Sequence, residues 1–428
     1  KIEQTILLGP YIDLHPGYHE SLRNDAPEGV FFYSRGARHY FGSNGGPAPE
    51  TAFFPFEHPH QGEVIDFGPG PQVAHSARWP VVRRRAWVAD LDDFGYPFVL
   101  GRYLLNPKAG MRASSDWSDV ERAVAARRMA NMLHAFAHPS CKAVLFWTRK
   151  ALEDAARWIR DFGLTSAGEA FLAKSQVVYP AQRALIASVV RQKWLQVPEL
   201  RVLFVGGDYE AKNGRVALQV FRRLAEARPD VRFTYVGEVP ESDRELTEGI
   251  DFRGRVPRAE VLSLLKESHV LFHPAREESF GMILLEAAAH GLAVVVARGR
   301  GMDHIDEILS GEEAVLFDRN AASGPEEEGF LPLLSSLLSD VDLARSKALA
   351  AYEKAAGGSL SLEARNSALQ SIYRQALEDP APEALSLTDL PHWSDSGHLA
   401  LSSEEVSTSL RTYLEREKVE RTNFYFRG

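Results

Sequence analysis

The fold of this chain is decided by residues 270–297, which read VLFHPAREESFGMILLEAAAHGLAVVVA. The stretch begins and ends with short apolar runs, Val270–His273 and Leu292–Ala297, of the length and composition typical of buried strands. Between them, Phe280–His290 is predicted to be a helix. A strand, a helix and a second strand in succession indicate a βαβ unit, whose two strands run parallel.

The same alternation of strands and helices begins well before this stretch. The sequence predicts strands over Arg201–Val205 and Arg232–Val236 and helices over Val216–Ala227 and Ala259–Lys266. The predicted strands are nearly continuous apolar runs, as expected where helices cover both faces of a sheet. We therefore predict an α/β domain with a parallel sheet.

The N-terminal half shows a weaker version of this pattern. It predicts strands over Gly29–Ser34, Ala86–Asp90, Lys142–Trp147 and Val177–Pro180, and helices over Val120–Ala137 and Lys150–Phe162. Residues 42–70 are rich in Gly, Pro and aromatic side chains, which favours an irregular surface loop. Since 428 residues exceed the size of one hydrophobic core, we expect two domains, over residues 1–180 and 181–377.

The remaining residues, 378–428, are predicted to be a C-terminal extension or strap. The part from Asp379 to Thr408 is rich in Pro, Ser and acidic residues. This composition favours a tail or strap rather than core.

Composition and charge restrict the classes of function. The formal net charge of -9 argues against a nucleic-acid partner, because neutralising phosphates requires an excess of Lys and Arg. No run approaches the roughly 20 apolar residues of a membrane span, so no integral membrane segment is expected. The single cysteine, Cys141, is interpreted as a core thiol, and a cytoplasmic setting is expected. The Arg83–Arg85 run is interpreted as a solvated face, or alternatively as an anion or peripheral membrane contact.

The strongest candidate for chemistry follows the predicted strand Val270–His273. The first helical turn, near Ser279–Met282, would present backbone N–H groups and the positive end of a helix dipole, which suit a pyrophosphate. Gly281 would let the backbone approach a phosphate more closely than a residue with a Cβ. Glu286, in the same helix, is a candidate acceptor for two vicinal hydroxyls. The alternative is that Glu278 only favours the helix start and Glu286 is solvated, although Ala287–Ala289 predict tight packing on that side.

A second candidate is the Gly-rich turn that reads GGDYEAKNG over residues 206–214. It follows a predicted strand and precedes a helix, the position at which open parallel sheets bind ligands. Lys212 is a candidate partner for a phosphate. The glycine spacing is neither that of the dinucleotide fingerprint nor that of the P-loop, and the alternative is a tight connection without a ligand.

Taken together and in order, these motifs resemble the retaining glycosyltransferases of family 4. The resemblance rests on the Gly-rich turn with Lys212, on RGRVP at residues 253–257, on His273-Pro274, on Glu278-Ser279-Phe280-Gly281 and on Glu286, and it extends to Phe317. It implies a GT-B fold, in which two Rossmann-like domains face each other across a cleft. It also implies metal-independent transfer of a sugar, with retained configuration, from a UDP, GDP or ADP sugar, with no cofactor. The acceptor would be a hydroxyl of a glycan, a lipid or a small molecule.

The resemblance assigns roles to single residues. Glu278 would be catalytic and lie beside the transferred sugar, Lys212 would contact the diphosphate, and Glu286 would hold the ribose. Arg255 and Val256 would line the nucleobase. The full set expected to bind the donor is Gly207, Lys212, Arg255, Val256, Ser279, Phe280, Gly281 and Glu286. Family members often carry an Arg where this chain has Gly207, so Arg215 or Arg276 is expected to replace it as the second phosphate partner.

The N-terminal domain resembles the family only in outline. Where related enzymes often carry a histidine after a strand, this chain has Asp92 and Asp93, and we take Asp93 as the catalytic candidate. The alternative is that both acids form a turn. Five histidines are expected to lie in loops or on the surface, and no metal site is expected; they are His15, His19, His58, His60 and His75.

Other functions stay open at this point. A nucleotide-sugar epimerase of the same architecture would need acid and base residues from both domains and no acceptor. A non-catalytic nucleotide-sugar-binding subunit is kept open by Gly207 and by the missing histidine. A nicotinamide-dependent dehydrogenase is disfavoured, since no Gly-x-Gly-x-x-Gly follows any predicted strand.

Overall fold

The structure is a computed structural model that describes residues 4–40, 64–94, 119–195 and 197–393. These residues form two compact units. The described part of the first unit comprises residues 4–15, 22–40, 64–94, 119–179 and 366–393, and that of the second comprises residues 16–21, 180–195 and 197–365. The domain boundaries expected from the sequence stay predictions.

The first unit is built on a parallel sheet. Its described strands are β1 Gln4–Gly9, β2 Val30–Ser34, β3 Arg38–Tyr40, β4 Val64–Asp66, β5 Val73–Ala77, β6 Trp87–Leu91, β7 Cys141–Phe146 and β8 Ser175–Val177. Six of them form the sheet in the order β2-β1-β5-β6-β7-β8, and every neighbouring pair is parallel. The other two, β3 and β4, pair antiparallel.

The second unit has a parallel sheet of the same size. Its strands are β9 Leu200–Val205, β10 Val231–Val236, β11 Asp251–Gly254, β12 Val270–His273, β13 Ala293–Arg298 and β14 Ala314–Asp318. Their order is β11-β10-β9-β12-β13-β14, again with parallel pairs throughout. The predicted α/β class and the predicted strands of this half are therefore confirmed.

Helices accompany both sheets. They are α1 Pro16–Asn24, α2 Asp119–Ala137, α3 Arg149–Asp161, α4 Thr165–Leu172, α5 Ala187–Leu195, α6 Gly214–Ala227, α7 Arg258–Glu267, α8 Met282–Ala289, α9 Ile305–Ile308, α10 Glu326–Ser339, α11 Val341–Ala356 and α12 Leu362–Glu378. Short 3₁₀ helices lie at Tyr11–Asp13, Glu241–Thr247 and Leu387–Asp389. None of the helices in these described ranges combines the length and the hydrophobicity needed to cross a bilayer.

The apolar runs of the sequence form the buried strands and helices of the two units. Strands β5 and β6 are buried along their whole length, and so is helix α8. Large aromatic side chains fill the first core, with Trp87, Phe136, Phe146 and Phe171 packed together. Burying such side chains supplies about 1.5–3 kcal/mol each against exposure, which is why these strands need no polar face.

Part of the expected surface loop at residues 42–70 is a strand instead. Val64–Asp66 pairs with Arg38–Tyr40, and Val64 and Ile65 are fully buried. The apolar run is only two residues long, Val64-Ile65, and lies in a Gly- and Pro-rich segment, so the sequence alone did not predict this short strand. Residues 41–63 lie outside the described residues.

The expected tail also requires correction, because residues 379–393 contribute to the core of the first unit. Leu385, Leu387 and Leu390 are buried against Tyr40 and Val64. Apolar residues spaced among the Pro, Ser and acidic residues make this packing possible, although the average composition is polar. Residues 394–408 lie outside the described residues.

Both sheets have a point at which the direction of winding reverses. In the first unit, β1 has β2 on one side and β5 on the other, so the reversal lies between β1 and β5. In the second unit it lies between β9 and β12. Helices leave in opposite directions from such a switch point, and the crevice between them is where open α/β sheets bind ligands.

Candidate functional site

The Gly-rich turn after β9 lies at the switch point of the second unit and is tightly packed. A Cβ on Gly206 would lie 2.7 Å from the Phe204 ring and 2.9 Å from Cβ of Lys212. The Gly206 N–H donates to the Val236 carbonyl at 2.9 Å, which fixes the turn against β10. Gly207, by contrast, is exposed. The turn therefore holds Lys212 in place and leaves backbone open at Gly207.

Lys212, Glu278 and His273 form a polar cluster at this crevice. Nζ of Lys212 donates to Oε1 of Glu278 at 2.7 Å and to the Glu277 carbonyl at 3.0 Å. Nε2 of His273 lies 2.8 Å from the same Glu278 oxygen. Lys212 follows β9, whereas His273 ends β12 and Glu278 follows it. The two strands beside the switch point thus bring together residues that are far apart in the sequence.

Glu278 is ionised at neutral pH. Its side chain is only 10% exposed, and burial by itself would raise the pKa of the carboxyl. The Lys212 ammonium and the hydrogen bond from His273 outweigh burial and hold that pKa well below its usual range. The site therefore contains a fixed negative charge beside a fixed positive one.

The loop that carries Glu278 is also held by its backbone. The N–H groups of Arg276 and Glu277 donate to the Ala211 carbonyl at 2.8 and 3.2 Å. The Arg319 guanidinium donates to the Pro274 carbonyl at 2.7 Å and to the next carbonyl at 2.6 Å. The loop is therefore tied to the Gly-rich turn on one side and to a buried cation on the other.

Arg319 belongs to a network that the sequence did not reveal. Its side chain is 3% exposed, and Nε donates to Oε1 of Glu326 at 2.7 Å. The other Glu326 oxygen accepts from Nδ2 of Asn213 at 2.6 Å. Asn213 has a left-handed φ of 55° at the start of α6, so the network also fixes the end of the Gly-rich turn. In the sequence, the feature that could have indicated this role is the position of Arg319 directly after the largely apolar run Ala314–Asp318.

Helix α8 begins at Met282, about half a turn later than predicted. Gly281 precedes it with φ 94°, in the left-handed region that favours glycine. Phe280 is fully buried and Ser279 is exposed. Because the first N–H groups of a helix lack partners within it, the backbone around Gly281 and Met282 is suited to an anion.

Glu286 is buried in α8 rather than solvated, which overturns the structural alternative considered for it. Its side chain is 1% exposed, and Oε1 accepts from Nη1 of Arg258 at 2.8 Å. Arg258 also contacts Oε2 of Glu20, a residue of the same unit, at 3.0 Å. Oε2 of Glu286 has no hydrogen-bond partner among the described residues. Burial raises the pKa of Glu286, and Arg258 opposes the shift.

Two other residues expected to bind the donor have contacts within the second unit. Nε of Arg255 lies 2.9 Å from Oε1 of Glu238, and Val256 is buried. The two expected substitutes for a phosphate-binding Arg are both more than half exposed. Arg215 lies 3.8 Å from Asp243, and Arg276 lies 3.7 Å from Glu326.

In the first unit, Asp92 and Asp93 directly follow β6, as expected. Asp92 is buried and accepts two hydrogen bonds from Arg78, each 2.8 Å long. Asp93 is partly exposed and stays a predicted catalytic residue. A third acid, Asp13, was missed by sequence reasoning. Burial raises the pKa of Asp13 to about 7, against the opposing charge of Arg78.

The expectation for the histidines is wrong in two cases. His75 lies on β5, is fully buried and contacts Asp90 at 2.9 Å and Tyr373 at 2.5 Å. His19 lies within α1 and is 2% exposed. We did not expect either histidine in the core, because a single histidine does not add to the apolar periodicity from which buried positions are predicted. His15 is half-buried beside Trp147, and His58 and His60 lie outside the described residues.

The Arg83–Arg85 run is a set of internal contacts rather than a free basic face. Arg83 pairs with Asp66 at 2.8 Å, and Arg84 is buried and donates to the carbonyls of Gly68 and Pro71. Nε of Arg85 donates to the carbonyl of Ala381, which helps to hold the segment after α12. Cys141 is a buried core thiol, as predicted, and burial raises its pKa to about 12.

Comparison with known proteins supports the assignment of the second unit. Residues 199–327 match the family described as Glycosyl transferases group 1. The matched stretch includes every residue that the sequence assigned to donor binding, from Gly207 to Glu286.

Similar proteins share the fold and part of the sequence. The crystal structure of WaaG, a glycosyltransferase involved in lipopolysaccharide biosynthesis, matches 86% of this chain and 99% of that chain with a TM-score of 0.51 and 17% identity. At this identity the likeness concerns the fold, which is the predicted α/β GT-B type with two Rossmann-like units.

Two curated relatives match in sequence over a more limited part. The phosphatidylinositol N-acetylglucosaminyltransferase gpi3 subunit of Schizosaccharomyces pombe is 29% identical over 149 residues, 33% of this chain and 31% of that protein. The D-inositol 3-phosphate glycosyltransferase of Corynebacterium urealyticum is 30% identical over 186 residues, 40% of this chain and 42% of that protein. The chain thus spans less than half the length of these relatives.

Proposed function

We propose that this protein is a retaining glycosyltransferase that moves a sugar from a nucleotide-diphosphate sugar to an acceptor hydroxyl without a metal ion. The observation that carries the proposal is the pair of carboxylates in the second unit. Glu278 is held by Lys212 and His273 at the switch point, and Glu286 is buried with one oxygen unpartnered within the described residues. The match of residues 199–327 to the glycosyl transferases group 1 family supports the same reaction class.

The diphosphate would bind where the Gly-rich turn meets the start of α8. Lys212 is 23% exposed and brings an ammonium to this point. Gly207 is exposed, and the first N–H groups of α8 have no partner within the helix. Negative charge builds on the diphosphate as it leaves, and fixed positive groups stabilise that charge without reorganising. Arg215 and Arg276 are candidates for a second phosphate contact, since both side chains are mostly exposed.

The ribose would bind to Glu286. A buried carboxyl oxygen without a partner is unfavourable by about 1–3 kcal/mol or more, and a pair of vicinal hydroxyls would supply the missing hydrogen bonds. Arg258 holds the other oxygen at 2.8 Å and so keeps the carboxyl oriented. The base would then lie towards Val256 and Arg255, the two residues to which the resemblance assigns nucleobase contacts.

The chemistry requires one bond to break and one to form on the same face of the sugar. The bond from the anomeric carbon to the diphosphate oxygen breaks, and its electron pair stays on the diphosphate. The acceptor oxygen bonds to the anomeric carbon, and its proton passes to the departing diphosphate. Glu278, ionised and fixed beside the sugar, stabilises the positive charge that develops on the ring. We place the reaction in the cytoplasm, which agrees with the single thiol.

The proposal is tested first by ligand-induced thermal stabilisation. UDP, GDP, ADP and their sugar conjugates are added to the unchanged protein, to Glu286→Ala and to Glu277→Gln. Glu277 is an exposed neighbour of the site, so its variant is the matched control. A ligand at a hundredfold excess over its Kd stabilises the folded state by about 2.7 kcal/mol. We expect one nucleotide to stabilise the protein and the control but not Glu286→Ala.

Product analysis completes the test. With the nucleotide sugar so identified, transfer should continue in excess chelator, and NMR of the product should show the anomeric configuration of the donor. Stabilisation by NAD and by no nucleotide sugar would overturn the proposal. An inverted product would overturn the retaining mechanism, and product formed without any acceptor would indicate an epimerase instead.

A further inference from the structure

Three neighbouring strands of the second sheet, β12, β13 and β14, each carry an arginine beyond their carboxyl end. Arg276 lies in the loop after β12, Arg300 in the loop after β13, and Arg319 directly follows β14. The Arg319 guanidinium contacts both of the other loops, through the Pro274 carbonyl at 2.7 Å and Sδ of Met302 at 3.6 Å. The three residues therefore form an arginine cluster at the edge of the sheet where open α/β sheets bind ligands.

The arginine cluster has an excess of positive charge. Nε of Arg276 lies 3.7 Å from Oε2 of Glu326, whose other oxygen accepts from Nε of Arg319 at 2.7 Å. No other carboxylate of the described residues lies within 4 Å of the three guanidinium groups. Burial lowers the pKa of Arg319, Glu326 opposes this shift, and the charges of Arg276 and Arg300 lower the pKa further. Three cations thus share one carboxylate.

Arg300 is the member of the cluster that is exposed and, among the described residues, has no acidic partner. Its backbone has a left-handed φ of 52° and lies between Gly299 and Gly301, with φ of 82° and 94°. An arginine is uncommon in this conformation, and such backbone strain is concentrated at functional sites. The Arg300 N–H donates to Oδ1 of Asn320 at 3.2 Å, which holds the loop in place. The loop therefore presents an unpaired guanidinium from a fixed backbone.

The strand order indicates which part of the donor would lie beside the cluster. The order is β11-β10-β9-β12-β13-β14. In the proposed function the base lies near Arg255, after β11, and the diphosphate lies near Lys212, after β9, and at the start of α8, after β12. The ends of β13 and β14 come next in this order. They therefore lie beyond the diphosphate on the side away from the base, where the transferred sugar is attached.

The charge of the neighbouring loop restricts the class of anion. Glu278, which is ionised, belongs to the same loop as Arg276. A dianionic phosphate on the sugar would meet more repulsion from Glu278 than a monoanionic carboxylate would. A guanidinium matches the two oxygens of a carboxylate and binds them with two parallel hydrogen bonds. The arginine cluster is therefore suited to a carboxylate.

We propose that the transferred sugar carries a carboxylate, as a hexuronic acid does, and that Arg300 and Arg276 bind this group. The inference rests on the proposed transfer reaction, since it names the class of sugar in the donor. Arg319 adds its charge without contacting the ligand, because its donors are used by Glu326 and by two loop carbonyls. Arg276 then serves the sugar, and Arg215 is left as the candidate for the second phosphate contact.

The experiment compares sugars that differ only in the carboxylate. The probes are the 1-phosphates of glucose, galactose and mannose, those of the corresponding hexuronic acids, and glucose 1,6-bisphosphate. None of them carries a base, so the result does not depend on the donor nucleotide. Each is titrated by isothermal calorimetry into the unchanged protein, Arg300→Gln, Arg300→Lys and Arg345→Gln. Arg345 lies in α11 of the same unit, is 42% exposed and pairs with Asp342, so its variant is the matched control for the loss of one positive charge.

We expect at least one hexuronic acid phosphate to bind the unchanged protein and the control about tenfold more tightly than the matching hexose phosphate, since hydrogen bonds between charged groups are gained. Arg300→Gln should remove this preference and leave the affinity for the hexose phosphate unchanged. Arg300→Lys, which keeps the charge but not the paired donors, should recover part of the preference. Arg300 is exposed, so these variants should fold as the unchanged protein does, and thermal unfolding checks this.

Other outcomes overturn the proposal. Equal affinity within all three pairs, or tightest binding of the bisphosphate, would contradict a carboxylate on the sugar. A preference that Arg300→Gln leaves intact would remove Arg300 from the site, and an equal loss for both members of a pair would mean that Arg300 binds the phosphate. Stabilisation by UDP, GDP and ADP is recorded on the same samples. If a nucleotide stabilises the protein while the pairs do not differ, the donor site stands and only the sugar class is wrong.

Discussion

Nε2 of His273 lies 2.8 Å from Oε1 of Glu278, the same oxygen that accepts from Lys212 at 2.7 Å. Two donors on one oxygen orient the carboxylate. They leave Oε2 of Glu278 without a hydrogen bond to any residue that the structure describes. In the proposed mechanism, the buried histidine therefore acts with the lysine to orient Glu278 towards the donor sugar.

Replacing His273 tests this role. His273→Ala removes one of the two donors, and we expect kcat to fall about tenfold or more, because a hydrogen bond to a charged group contributes about 1.5–3 kcal/mol. KM for the donor should change little, since His273 does not contact it in the proposed mechanism. His273→Gln, which keeps an amide donor, should recover part of kcat. A parallel rise in KM with unchanged kcat would instead indicate a binding role.

Arg319 provides a second test, because it holds the Glu278 loop without touching a ligand. Its guanidinium donates hydrogen bonds to Glu326 and to the Pro274 carbonyl, and the Arg319 side chain is only 3% exposed. Arg319→Met leaves the Glu326 carboxylate without its main partner, and breaking such a buried pair destabilises by about 3 kcal/mol. Thermal unfolding with and without the nucleotide should show both a lower Tm and a smaller ligand-induced shift.

The control for Arg319 is Arg298, which ends β13. Arg298 is 36% exposed and pairs with Asp306 and Asp318 on the surface. Arg298→Met should change stability by less than about 1 kcal/mol and leave the nucleotide shift intact. Equal losses in both variants would mean that Arg319 acts through general stability rather than through the loop.

The sequence predicted the second unit well because its strands are long, apolar and closely spaced. Val270–His273 agrees with its strand to the residue, and Ala293–Arg298 differs by one residue at each end. In such runs, local strand preference and burial on both faces favour the same structure. The motifs at the strand ends, with Lys212 and Glu278, were found for the same reason.

Other parts were missed where local pattern and tertiary packing disagree. Helix α10 contains Pro332, which argues against a helix, yet Phe330, Leu334 and Leu337 are buried at helical spacing. The strand Val64–Asp66 and the buried leucines after residue 379 depend on partners distant in sequence. Some candidate functional residues were also missed, namely Arg258, Arg319 and Asp13. They became candidates because of the residues they contact in the folded protein, and those residues are distant in sequence, so no local motif identifies them.

Gly206 tests the close packing of the Gly-rich turn. In Gly206→Ala the new Cβ would lie 2.7 Å from the Phe204 ring and 2.9 Å from Cβ of Lys212. Overpacking of this kind typically destabilises by about 1–3 kcal/mol, and displacement of Lys212 should weaken nucleotide binding. The control, Gly311→Ala, has no atom within 4 Å of the new Cβ. Isothermal titration with the nucleotide should show normal affinity for that control, and normal affinity for both variants would contradict the packing role.

The pH dependence of stability tests the environment of Asp13. Its pKa is raised from 3.8 to about 7 in the folded protein, so the folded state binds a proton more tightly than the unfolded state. The resulting stabilisation is fully present below pH 3.8 and is lost as the pH rises to about 7, by at most about 4 kcal/mol. Asp13→Asn does not titrate, so its stability relative to the unchanged protein should improve by up to this amount between acidic and neutral pH. Urea unfolding at several pH values, followed by the fluorescence of buried tryptophans, measures the difference. Asp379→Asn, an exposed control, should show no such trend, and a constant difference for Asp13→Asn would mean that Asp13 ionises as it does in the unfolded chain.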